Sequence, residues 1–177
     1  MRTEIRLSGF GGQGVGLAGQ IIGKALAIYD GKEAVMTQAY GPEARGGASS
    51  ANIVTSNEPI DFPFVQEPDI LIALSQEAYV KFRPGAKQEA LVLIDSGLVV
   101  PFEDDTTFKI PATRLAEELG NRIVTNIVML GSFTAVCQVV GREAMEKAIE
   151  TSVKAKFVAL NMKAFETGLE YALENVG

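Results

Sequence analysis

The stretch Gly9-Phe10-Gly11-Gly12-Gln13-Gly14 has the spacing G-x-G-x-x-G. A loop of that kind, between a strand and a helix, brings backbone N–H groups and a helix N-terminus to a phosphate or another anion. Three readings stay open on spacing alone: an anion or cofactor contact, an ordinary dinucleotide site, or a close-packing turn without a ligand. No Gly-Lys-Ser/Thr follows, so a nucleoside-triphosphate loop is not supported. A dinucleotide site also needs an acidic ribose ligand at the end of the second strand. Asp30 and Glu33 come before that strand, and Gln38 sits near its end.

A second constellation spans residues 38–47, Q-A-Y-G-P-E-A-R-G-G. Gly41-Pro42 and Gly46-Gly47 set turns on either side of Glu43 and Arg45. Arg45 is the better ligand candidate, because its planar fork suits a phosphate or carboxylate. The alternative is a local brace between Glu43 and Arg45. Ser49, Ser50 and Asn52 either add hydrogen bonds to a ligand or satisfy backbone near the turn. Ser75 and Asp95 follow two apolar strands, where an open parallel sheet has its crevice. Asp95 serves equally well as a cap for the turn through Ser96-Gly97. Thr125 and Asn126 are expected to cap the helix that follows. Cys137, in an apolar helix, reads as a buried small hydrophobe.

Counting narrows the chemistry. The chain has 177 residues with one cysteine and no histidine. That leaves no intrachain disulfide, no four-thiolate cluster, no Ser-His-Asp triad and no histidine zinc site within it. Lys and Arg total 16 against 22 Asp and Glu, a net charge of −6, and the basic residues are scattered. Nucleic acid is therefore a poor partner. Residues 8–14 break any secretory signal, and the apolar runs are too short for a membrane span, so the cytoplasm is expected.

These groups need elements to position them. Residues 4–8 suggest a strand and residues 15–29 a helix. Along it Gly12, Gly16, Gly19, Gly23 and Ala27 fall on one face, which would let the helix lie close to a sheet. Leu17, Ile21, Ile22, Leu26 and Ile28 supply its apolar surface. Strands are expected over 34–38, 48–55, 70–74 and 91–94, the last two buried on both faces, and a short helix over 76–82. The acidic stretch 57–69, with Pro59, Pro63 and Pro68, reads as a turn-rich connection or a short edge element. Helices follow over 111–120, 126–140 and 142–174, the last as one helix or two. Met145, Ile149, Val153 and Phe157 mark its inward face, with Glu150 and Lys154 paired across a turn. The sum is one domain over residues 1–177: a three-layer α/β fold with a mostly parallel central sheet, a glycine-rich loop after the first strand and a helical C-terminal part.

Three segments in this order carry a resemblance: I-R-L-S-G-F-G-G-Q-G-V-G-L-A-G, Q-A-Y-G-P-E-A-R-G-G-A-S-S and P-D-I-L-I-A-L-S-Q-E-A-Y. The chain resembles, over nearly its whole length, the gamma subunit of the 2-oxoacid:ferredoxin oxidoreductases, most of all the branch acting on 2-oxoglutarate. The pyruvate, branched-chain and indolepyruvate enzymes share the domain. The resemblance implies decarboxylation of a 2-oxoacid on thiamine diphosphate, passage of two electrons to ferredoxin, and acyl transfer to coenzyme A. It places thiamine diphosphate, magnesium and the iron–sulfur clusters in the alpha and beta subunits or a ferredoxin-like delta subunit. The gamma subunit is then part of the shell around the active site and inactive alone, with no catalytic residue of its own. Carried over residue by residue, Gly9, Gly11, Gly12, Gln13 and Gly14 match the family's glycine loop. Gly41, Pro42, Glu43, Arg45, Gly46 and Gly47 match its second signature. Contacts to coenzyme A or to a partner subunit are expected there. Isolated copies are expected to pair, because surface meant for other subunits is left bare.

Overall fold

The computed structural model describes residues 1–41 and 47–176, so Pro42, Glu43, Ala44, Arg45 and Gly46 lie outside the described residues. Six strands form one sheet in the order β2-β3-β1-β4-β5-β6. They are β1 (Arg2–Phe10), β2 (Glu33–Ala39), β3 (Ala48–Ser56), β4 (Ile70–Ala73), β5 (Leu91–Asp95) and β6 (Phe108–Ile110). The pairings β1–β4, β4–β5 and β5–β6 are parallel, whereas β3 runs antiparallel to both β1 and β2. Only β3 opposes the common direction, so the sheet is mixed and mostly parallel. The reason is chain length: residues 40–47 are too few for the crossover of about a dozen residues that a parallel neighbour requires. The glycine motif begins inside β1, which runs through Gly9 and Phe10 rather than stopping at residue 8. The three-residue strand β6 carries no period long enough to be seen in the sequence.

The layers are unequal. Ile5 and Leu7 of β1, Ile72 and Leu93 face the larger core. It is covered by α1 (Val15–Lys24), α3 (Ala112–Glu118), α4 (Thr125–Cys137), α5 (Arg142–Glu150) and α6 (Val158–Asn175). The opposite face carries α2 (Gln76–Phe82), where Leu71, Ala73, Tyr79, Val92, Ile94 and Val99 form a smaller core. Helix α1 lies close on β2 and β3, as its phased glycines require. A Cβ at Gly19 would stand 2.5 Å from that of Ala51, and one at Gly16 would stand 2.9 Å from Nε2 of Gln38. Gly12 lies before the helix. Ala27 is exposed, because residues Ala25–Tyr29 form a π-helical turn that changes the phase. Leu17 and Ile28 are exposed as well.

The C-terminal segment divides into α5 and α6. Met145 and Ile149 are buried, but Phe157 is exposed, since it lies in a 3-10 turn outside α5. Lys154 also lies beyond α5, so the i,i+4 pair there is Arg142 with Glu146, at 2.8 Å. Apolar α4 lies against α6 through reciprocal glycines. A Cβ at Gly168 would fall 1.8 Å from the carbonyl oxygen of Val128, and one at Gly131 would fall 2.0 Å from that of Phe165. The hydroxyl of Ser132 donates to Gly168 O at 2.8 Å.

On the smaller face, Asp105 fastens the segment after β5 to α2. It accepts from Arg83 Nε at 2.8 Å and from the Tyr79 hydroxyl, which itself accepts from Phe102 N. Burial pushes the Asp105 carboxyl up, but the hydrogen bonds from Arg83 and Tyr79 outweigh it and hold it below its ordinary value. A depressed carboxylate stabilises the fold above its unfolded pKa, and that contribution is lost as pH falls through the folded one. Two outcomes are expected in urea unfolding of the purified chain. Gly168→Ala should cost about 3 kcal/mol, the upper end for overpacking against rigid backbone. Below about pH 4, Asp105→Asn should remove part of the acid-induced loss seen in the parent.

Candidate functional site

The glycine loop emerges from the C-terminal edge of β1 and turns into α1. The carbonyl ends of β4 and β5 lie at the same edge, and so do the anchors of residues 40–47. Phe10 pairs with Ala48, and Ala39 pairs with Ser50. The described flanks of the second signature, Ala39 and Ala48, thus lie at the same edge as the first, while Glu43 and Arg45 are outside the described residues.

Within the loop, backbone shape and side-chain braces divide the work. Gly12 has φ +91° and Gly14 has φ +71°, conformations that favour glycine. Gly9 has no room for a side chain, as a Cβ there would stand 2.6 Å from Oε1 of Gln13. Gln13 is committed at both ends. Its Oε1 accepts from Phe10 N at 2.6 Å, and its Nε2 donates to Leu74 O at 2.9 Å, tying the loop to the end of β4. Gln13 therefore braces the loop. A second brace comes from Asn126, whose Nδ2 donates to Gly14 O at 3.1 Å. This corrects the expectation that Asn126 caps α4; among the described residues its Oδ1 accepts only from the adjacent Ile127 N, and Val124 holds the N-cap position. Thr125 donates backwards to Arg122 O at 2.7 Å.

What is left open is backbone. Among the described residues, chain neighbours aside, no atom lies within 4 Å of where a Cβ would stand on Gly11 or Gly12. The N-cap, Gly14, supplies no side chain to the first N–H groups of α1. Beside it is a cleft of about 230 Å³ lined by Gly12, Gln13, Thr113, Arg122, Ile123 and Thr125. Arg122 is the cation that the described residues bring to the loop, and sequence reasoning did not single it out. Its contact with Glu117 is 3.9 Å long between exposed side chains, so little holds it in place. The cleft can therefore offer backbone N–H groups, the positive end of α1 and a guanidinium to an anion.

The other candidates are structural. Ser75 accepts from Ala78 N at 3.2 Å and caps α2. Asp95 is fully buried; it accepts from Gly97 N at 3.1 Å, Thr113 N at 3.0 Å and Thr113 Oγ1 at 2.6 Å. Ser49 donates to Gly9 O at 3.3 Å, and Asn52 accepts from Arg6 at 2.7 Å. Burial pushes the Cys137 thiol up to about 12, which leaves no thiolate for nucleophilic work. The dinucleotide reading fails on topology. The antiparallel β3 stands between β1 and β2, so the end of β2 is two strand spacings, about 10 Å, from the glycine loop's strand. It carries Gln38 and no acid.

The family model described as pyruvate ferredoxin/flavodoxin oxidoreductase matches residues 4–171. The 2-oxoglutarate synthase subunit KorC of Methanocaldococcus jannaschii is 55% identical over 179 residues, covering 98% of this chain and 96% of that protein. The pyruvate synthase subunit PorC of the same organism is 32% identical over 182 residues, covering 98% and 99%. A crystal structure of the keto/oxoacid ferredoxin oxidoreductase gamma subunit from Geobacter sulfurreducens matches with TM-score 0.89 at 44% identity, covering 98% of each chain. The chain belongs to the pyruvate ferredoxin/flavodoxin oxidoreductase family, as a gamma-type subunit of a 2-oxoacid:ferredoxin oxidoreductase complex.

The brace on Gly14 can be measured. A Cβ there would stand 2.4 Å from Asn126 Nδ2. Gly14→Ala should therefore cost the left-handed backbone penalty of about 1–2 kcal/mol plus a clash. In an Asn126→Ala background the clash disappears. A double-mutant cycle by urea unfolding should return a coupling of at least about 0.5 kcal/mol.

Proposed function

We propose that residues 1–177 form one domain that serves as the gamma subunit of a complex converting 2-oxoglutarate, coenzyme A and oxidised ferredoxin to succinyl-CoA, carbon dioxide and reduced ferredoxin. The observation that carries this reading is the 55% identity to a 2-oxoglutarate synthase subunit over nearly all of both chains, against 32% to a pyruvate synthase subunit. The pyruvate and branched-chain oxoacids are the alternatives. Alpha and beta subunits, and a ferredoxin-like delta subunit where present, hold thiamine diphosphate, magnesium and the iron–sulfur clusters. The donor set of this chain supports that division, since one cysteine and no histidine cannot ligate a four-thiolate cluster. No helix among the described residues is long and apolar enough to cross a membrane. The cytoplasm, where ferredoxin and coenzyme A meet, is the proposed location.

The role of the glycine-loop edge is to dock coenzyme A. Its phosphates would meet the Gly11 and Gly12 backbone at the N-terminus of α1, with Arg122 and Arg45 as counter-charges. The braces from Gln13 and Asn126 hold that backbone in shape before the ligand arrives, which lowers the ordering cost of binding. No proton transfer or covalent step falls to this chain. The reading that the loop is only a close-packing turn draws on Gly9, where a side chain has no space.

Reconstitution with and without this chain tests the assignment: coenzyme A-dependent 2-oxoglutarate oxidation should require it, and equal turnover in both preparations would defeat it. Within the assembled complex, Arg45→Ala and Arg122→Ala should each raise the KM for coenzyme A. One charge-assisted contact is worth about 1.5–3 kcal/mol, roughly ten- to a hundredfold. Decarboxylation of 2-oxoglutarate without coenzyme A should change little. An unchanged coenzyme A requirement in both variants would leave the loop as a packing device.

A further inference from the structure

Residues 57–69 run along the edge of the sheet opposite the glycine loop, where β1 begins. The nine residues of β1 separate the two edges, eight steps of about 3.3 Å or about 26 Å. The segment contains no regular element, yet its backbone is pinned. Arg2 donates to Phe62 O at 2.5 Å and to Phe64 O at 3.0 Å. Glu4 Oε2 accepts from Gln66 N at 2.7 Å and Glu67 N at 3.1 Å, while its Oε1 holds Arg2 at 2.7 Å. Arg6 reaches Val65 O at 3.5 Å. Alternate residues of β1 thus grip the loop between residues 62 and 67.

This grip holds two aromatic rings outward. Phe62 and Phe64 are 46% and 55% exposed, and they meet edge to face with centroids 5.5 Å apart. The pinned backbone stops them from folding back onto apolar surface of the same chain, where each would gain by burial. Beside Phe62 is a cavity of about 560 Å³ whose lining includes Arg2, Glu4, Glu58, Pro59, Asp61 and Phe62, so its three carboxylates outnumber its one guanidinium. The segment carries Glu58, Asp61, Glu67 and Asp69 and no lysine or arginine. Asp69 is engaged by Lys87 at 2.5 Å, whereas Glu58, Asp61 and Glu67 make no ion pair among the described residues.

We infer that this edge is the docking surface for another subunit of the oxidoreductase complex, one presenting an arginine- or lysine-rimmed apolar recess. The two rings enter the recess. A partner cation meets Glu58 and Asp61 at the cavity, beside the chain's own Arg2, which already lies 5.9 Å from the Phe62 ring centroid. A second copy of this chain is the wrong occupant, because it would bring the same carboxylates face to face. Contact at this edge leaves the glycine loop free for its ligand. The inference rests on the chain's place in a multi-subunit complex and is independent of the coenzyme A reading.

The test uses the reconstituted complex. Co-elution of the parent chain with its partner subunits comes first; its failure would overturn the subunit reading and this proposal together. A photo-reactive phenylalanine analogue is then placed at position 64. A covalent adduct with a different subunit is expected, and adducts only between two copies, or none, would overturn the proposal. In parallel, Glu58→Lys/Asp61→Lys and Phe62→Ser/Phe64→Ser should each weaken incorporation at least tenfold. Parent incorporation should weaken as salt rises, and that salt response should shrink in the charge variant. Undiminished incorporation of both variants would also overturn it. The exposed rings and acids predict that each isolated variant melts where the parent does. If one does not, the cross-link decides.

Discussion

Close approach of backbone to backbone is the constraint on which the rest of this structure depends. Helix α4 carries almost no polar surface, so it must be enclosed, and it is enclosed by lying on α6 where Gly131 and Gly168 remove the side chains between them. The same device lets α1 settle on β2 and β3 over Gly16 and Gly19. Glycine in a helix interior is unfavourable by about 1 kcal/mol per site, which only tight packing offsets. Two helices held this closely leave little freedom at their ends, and the ends are where the site is built.

The start of α4 and the start of α1 meet at the glycine loop. Asn126 reaches Gly14 from one and Gln13 reaches Leu74 from the other, so the loop is tied to a helix and a strand remote in the chain. Such a loop keeps its donors in place without a ligand. The cleft beside it gains Arg122 because the turn that precedes α4 must pass there. Among the described residues no cluster of His, Cys, Asp or Glu is arranged to hold a metal ion, so what this edge presents is preorganised backbone and a loosely held cation.

Strand β1 works at both of its edges. Its apolar face, Ile5 and Leu7, anchors the larger core, while Arg2, Glu4 and Arg6 hold the segment 57–69. Alternation along one strand therefore divides the polar labour of the molecule: loop and α1 terminus at its end, a pinned acidic and aromatic surface at its beginning.

Much of this was legible in the residues alone. The glycine loop, the phased glycines of α1, the buried strands β4 and β5 and the span of α2 are local patterns, and local sterics and burial decide them. The antiparallel turn of β3 was implicit in a connection too short to cross over. The family signature around Gly9–Gly14 and residues 38–47 was legible for the same reason, as it is a contiguous run of residue types. Tertiary structure decided the rest. Asn126 looked like a helix cap because its partner, Gly14, lies 112 residues away. Arg122 looked like a scattered surface charge until folding carried it to the glycine loop. Phe157 shared the period of Met145 and Ile149, but the helix ended before reaching it. Hydrogen-bond partners, cleft walls and helix ends depend on which distant backbone arrives beside them, and spacing along the chain does not encode that arrival.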